Sequence, residues 1–140
     1  MNALWIMLGS IVIFIIAYAT YGAWLAKKWG IDPTRKTPAH EINDGVDYVP
    51  TRRFVIFGHH FASIAGGGPI IGPTVALVFG FLPVWLWIVI GTLFIGAVHD
   101  FSALLASMRE KGRSIAEIAE KTFGRTGFLL FISFTVIMLL

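Results

Sequence analysis

The chemistry available to this chain is concentrated in one uncharged stretch. Between Ala62 and Thr74 the sequence carries Gly66, Gly67, Gly68, Pro69, Gly72 and Pro73. Each glycine costs a helix about 1 kcal/mol relative to alanine, and each proline removes a backbone donor and crowds the preceding turn. A helix running through these residues is predicted to break. A broken helix offers N–H groups and the positive end of a dipole to anions, and freed carbonyls to cations. The second half-helix is expected to start near Gly72, with proline tolerated in its first turn. A substrate carboxylate would fit that end, which makes these six positions the candidate substrate-binding residues. The competing reading is a kinked, glycine-rich packing seam between helices.

Three ionisable residues lie near the break. His59 and His60 follow Arg53 by six and seven positions, and Asp100 precedes Arg109 by nine. At about 1.5 Å per helical residue, all three lie roughly 10 Å inside the same boundary. A carboxylate at that depth is expensive and normally faces a cavity or a partner. Gly96, Asp100, Ala103 and Ser107 share one helical face, which aims Asp100 into the protein. A histidine beside such a carboxylate titrates near neutral pH and could couple proton flow to substrate movement. His59, His60 and Asp100 are therefore the candidate proton-coupling residues. A static His–Asp hydrogen bond is the plainer alternative. For His99, which neighbours Asp100 in sequence but stands about 100° away around the helix, that static bond is the preferred reading.

Other chemistries find no footing. The chain has no cysteine, so thiolate catalysis and disulfides are excluded. Zinc is disfavoured because His59 and His60 cannot share a helical face and there is no His-Glu-x-x-His pattern. Neither a phosphate-binding glycine-lysine loop nor a Gly-x-Ser-x-Gly nucleophile turn is present. The chain is expected to be no enzyme and to need no cofactor or metal.

The elements that must position these residues are membrane helices. The 140 residues are 56% hydrophobic and 14% charged, with mean hydropathy +0.78, unlike a soluble domain. Of the eleven Lys and Arg and eight Asp and Glu, all but Asp100 fall within Lys27 to Arg53 or Arg109 to Arg125. The uncharged runs between them exceed the ~20 residues needed to cross a hydrocarbon core. Spans are predicted at about residues 3–26, 54–82, 84–108 and 127–140, with a turn at Pro83 and with Trp85 and Trp87 at the interface. Ala19, Gly22, Ala23 and Ala26 would give the first span a small-residue packing face. No basic n-region precedes the first span, which is read as retained rather than cleaved. Loops 27–53 and 109–126 hold every basic residue, so both are expected to be cytoplasmic and the N-terminus outside. The basic residues flank apolar runs and alternate with acids, which points to a membrane face and away from nucleic acid.

Loop 27–53, with Pro33, Pro38, Pro50 and Asn43-Asp44-Gly45, is predicted to lack a continuous helix and to act as a folded gate or a linker. Loop 109–126 carries a capping box from Ser114 to Glu117 and a stop at Gly124, so a short amphipathic helix is expected between them. The last run is too short to reach the far side, which predicts a truncated, split or partial chain.

The ordered motifs Asp32-Pro33-Thr34-Arg35, Asn43-Asp44-Gly45-Val46-Asp47-Tyr48-Val49-Pro50-Thr51, Phe57-Gly58-His59-His60-Phe61-Ala62, Ala65-Gly66-Gly67-Gly68-Pro69 and Gly96-Ala97-Val98-His99-Asp100-Phe101 resemble the N-terminal part of the carbon starvation protein A family. The resemblance implies an all-α, polytopic transmembrane chain with a broken helix, part of a larger bundle in the inner membrane. It further implies secondary active, proton-coupled uptake of pyruvate or peptides when carbon is scarce. The partners implied are the substrate, protons, the lipid bilayer, and further spans or a second subunit. The alternative is a non-transporting assembly or sensory subunit.

Overall fold

The computed structural model describes residues 2–140, all of the regular structure being helical. It forms two compact units, one of residues up to Arg35 with Thr51–Val98, the other of Lys36–Pro50 with His99–Leu140.

In the first unit, α1 runs over Ala3–Lys28. Asn2 caps it by accepting the Leu4 amide at 3.0 Å, and a wider turn at Tyr18–Gly22 interrupts its regular winding. Lys27 and Lys28 close its last turn, where cations complement the helix dipole. Two short helices follow, α3 over Arg53–Ile64 and α4 over Gly67–Phe79, bent by 44° at their junction. Between α1 and α3 only Pro38–Glu41, here α2, is helical, as the three prolines of that loop predict.

Helix α5 spans Phe81–Arg109 and crosses from the first unit into the second. The chain reverses at Gly80, whose φ of +105° only glycine adopts at low cost. The expected turn at Pro83 is displaced because proline is tolerated in the first turn of a helix, where its missing N–H has no partner to lose. Trp87–Gly96 is wound more widely than an α-helix. Tyr21 of α1 packs on Phe94 there, ring centroids 5.2 Å apart. The Tyr18–Gly22 turn interrupts the regular winding over which Ala19, Gly22, Ala23 and Ala26 are spaced.

In the second unit, α6 covers Ile115–Leu139 and departs from helical geometry at Gly124, with φ +73°. The capping box is formed: Ser114 Oγ accepts the Glu117 amide at 3.3 Å and Glu117 accepts the Ser114 amide at 2.9 Å. Gly124 ends the first stretch as expected, and the apolar stretch follows without a spacer. A Cβ on Gly127 would lie 2.5 Å from that of Phe123, so the turn after Gly124 is closed tightly by a residue without a side chain.

Among the described residues the buried apolar side chains are Leu25, Val84 and Val89 alone. Phe54, Phe57, Phe61 and most of α1 lie open, far more apolar surface than a water-soluble chain presents. Helices α1, α5 and α6 are each long and apolar enough to cross a membrane, and α3 with α4 makes a fourth crossing if counted as one bent span.

The first loop is ordered by Asp44, whose Oδ1 accepts the amides of Val46, Asp47 and Tyr48 at 2.9, 2.9 and 2.8 Å. These bonds, the Tyr48 and Val46 amides foremost, hold the Asp44 carboxyl below its ordinary value. A depressed carboxyl stabilises the loop fully above the unfolded value of about 3.9 and loses that effect as pH falls through the lowered one. Amide exchange at Asp47 and Tyr48 should therefore stay slow, relative to the intrinsic rate, at about pH 5 and lose its protection only well below about pH 4. Protection lost at near-neutral pH would show that the carboxylate does not hold the loop.

Candidate functional site

Helix α3 ends where Ala65, at φ −77° and ψ 47°, leaves helical geometry. Gly66 follows at ψ −174° and α4 begins at Gly67. The half-helix thus starts five residues before the expected position near Gly72. The reason is Pro69: it sits third in α4, where a missing N–H costs nothing, so the helix starts ahead of it. Pro73 falls inside α4 and cannot donate to the Pro69 carbonyl one turn back, which frees that oxygen. The backbone here offers two amides, Gly67 and Gly68, that no side chain caps, and one freed carbonyl a residue further on. The twelve residues of α3 place them about 18 Å along the span from Arg53.

None of these glycines is demanded by the fold of the unit. A Cβ on Gly66, Gly68 or Gly72 would meet nothing within 4 Å, and one on Gly67 only the flexible end of Ile71 at 3.7 Å. None adopts positive φ. Their bareness leaves backbone accessible over a whole turn. Gly68, Pro69, Gly72 and Pro73 line a groove of about 860 Å³ whose far wall includes Trp87 and Gly91 of α5.

His59 and His60 lie in α3 and are exposed. Asp100 lies in the second unit, about half covered, and Ala103 and Ser107 on the same face are similarly shielded while His99 and Ser102 are open. The Asp100 carboxylate is engaged by His99, Nδ1 to Oδ1 3.1 Å, with side-chain exposures of 79% and 40%. This is the static His–Asp bond expected for His99: a 100° step between adjacent Cβ vectors still lets an imidazole bend back to its neighbour's carboxylate. Adjacency in sequence was the signal for this pair.

Trp85 is part-covered, and its indole N–H donates to Ser10 Oγ of α1 at 2.9 Å. Ser10 Oγ in turn donates to the Ile6 carbonyl at 2.8 Å, so both polar atoms are satisfied in apolar surroundings. A lone serine in the first half of an uncharged helix was the available sign of this contact.

Residues 2–140 match the family described as Carbon starvation protein CstA. The chain belongs to that family. Its relatives include Peptide transporter CstA of Escherichia coli K12, 47% identical over 99% of this chain and 20% of the relative. Pyruvate/proton symporter BtsT of the same organism is 47% identical over 88% of this chain and 17% of its own length. Peptide transporter CstA of Bacillus subtilis is 48% identical over 89% of this chain and 21% of its own. The chain therefore spans about a fifth of the length of these relatives. No solved structure matches it. The glycine break, His59, His60 and Asp100 all fall inside the stretch that matches the carbon starvation family.

Proposed function

We propose that this chain supplies the substrate-binding break and a proton-coupling group of a secondary active carrier, which takes up a small carboxylate such as pyruvate, or a peptide, across the inner membrane under carbon limitation. The observation that carries the proposal is the start of α4, where the uncapped amides of Gly67 and Gly68 stand beside bare glycine surface. Irregular backbone in the middle of a span is stable only when buried in protein or lining a wet cavity, and secondary carriers build ion and substrate sites from such half-helices. A carboxylate on two amides at a positive dipole end needs no cationic side chain. Pyruvate and peptides both carry that carboxylate, which reconciles the names of the relatives, a peptide transporter and a pyruvate/proton symporter. His59, His60 and Asp100 are the residues we assign to proton movement, since each is an ionisable side chain within an otherwise uncharged span, where such groups are costly unless they serve a function.

Flux measured with the intact transporter in proteoliposomes tests this. Accumulation of labelled pyruvate or a dipeptide in response to an inward proton gradient is expected. Absence of any flux in the folded, reconstituted protein would favour an assembly or sensory subunit, with the glycines serving packing alone.

The orientation follows from the basic loops: the N-terminus is outside and the Lys27–Arg53 and Arg109–Arg125 stretches are cytoplasmic. A cysteine in place of the exposed Lys36 should react with an impermeant maleimide in inside-out vesicles and not in intact cells. Labelling in intact cells would invert the topology.

A further inference from the structure

Helix α5 ends in an unusual way. The Gly112 amide donates to the Ser107 carbonyl at 2.8 Å, the long bond of a helix-closing turn in which the residue before it is left-handed. That residue is ordinarily glycine. Here it is Lys111, at φ +60°, with Gly112 at φ +79° after it. A lysine in this conformation needs compensation from elsewhere, and the first loop supplies it. Tyr48 Oη donates to the Lys111 carbonyl at 2.8 Å across 63 residues of sequence. The Tyr48 ring also covers Gly112 so closely that a Cβ there would lie 3.1 Å from Cε1. Tyr48 is aimed by Asp44, which binds the tyrosine's own amide together with those of Val46 and Asp47. Two further bonds brace the same turn, Ser107 Oγ to the Arg113 carbonyl at 2.8 Å and Lys121 to Glu110 across the start of α6.

We propose that the Asp44–Tyr48 loop is a clasp, in which Tyr48 holds the strained Lys111–Gly112 turn and so sets the connection between α5 and α6. The Lys36–Pro50 part of the first loop is then a folded strut of the second unit and not a slack linker. The clasp closes by one hydroxyl and one ring face, so it can open without unfolding either helix. It concerns this chain's own turn and stands whether or not the carrier reading holds.

Amide hydrogen exchange at Gly112, followed by mass spectrometry on the membrane-embedded protein, tests the clasp. Tyr48→Phe keeps the ring over Gly112 and removes the hydroxyl. It should speed exchange of the Gly112 amide about five- to tenfold, the loss of one intramolecular hydrogen bond. Lys111→Gly removes the strain that the clasp offsets, so the double variant Tyr48→Phe with Lys111→Gly should exchange as slowly as the parent. Unchanged exchange in Tyr48→Phe, or acceleration that Lys111→Gly fails to reverse, would overturn the proposal.

Discussion

Replacing Gly67 by leucine should lower uptake by about a hundredfold or more while leaving the protein inserted and folded. The two effects separate because nothing in the first unit occupies the space over this position beyond the end of Ile71. Leucine is a better helix former than glycine, so α4 itself is not weakened. What the leucine takes away is access to the Gly67 and Gly68 amides. Hydrogen bonds to a charged group contribute roughly 1.5 kcal/mol or more each, and about 1.4 kcal/mol is a factor of ten, so losing two removes about two orders of magnitude. Uptake at subsaturating substrate, beside a measurement of membrane-inserted protein, reads both. Gly67→Ala is the graded comparison and should retain part of the activity. Full uptake by the leucine variant would make the break a packing kink and move the binding site elsewhere.

Exchanging Asp100 for asparagine should abolish accumulation driven by a proton gradient and spare substrate exchange across the membrane. Asparagine preserves size and can still accept from His99 through its amide oxygen, but it cannot take up or release a proton. Counterflow of preloaded substrate tests exchange, and uptake against a gradient over a range of pH tests coupling. Accumulation by the variant with an unchanged pH dependence would make Asp100 a structural partner. Coupling would then fall to His59 or His60, or to parts of the transporter outside this chain.

The family resemblance and the local architecture were both open to sequence reasoning, because each rests on short stretches of chain. Uncharged runs dictate spans through the cost of burying charge in hydrocarbon. Gly66 to Pro73 must disturb a helix wherever it lies, and the Ser114 to Glu117 box acts over one turn, as its two hydrogen bonds confirm. Finer placement escaped for a reason of the same kind: two prolines in succession each have a comfortable seat in a first turn, and periodicity does not say which will take it. Pro69 and Pro83 took those seats, moving the half-helix start to Gly67 and the reversal to Gly80.

Contacts between distant parts of the chain carry no such local signature. The Trp85 indole could satisfy its N–H at a wet interface or on Ser10, and only the approach of α5 to α1 decided between them. Tyr48 and Lys111 are ordinary loop residues until the turn after α5 places a left-handed lysine carbonyl within reach of the phenol. The spans and the presence of the break were thus determined by the sequence, since backbone propensity and solvation act residue by residue. The partners of Ser10, Trp85, Tyr48 and Lys111 were decided by tertiary structure, because a hydrogen bond across tens of residues depends on geometry that no neighbouring residue encodes.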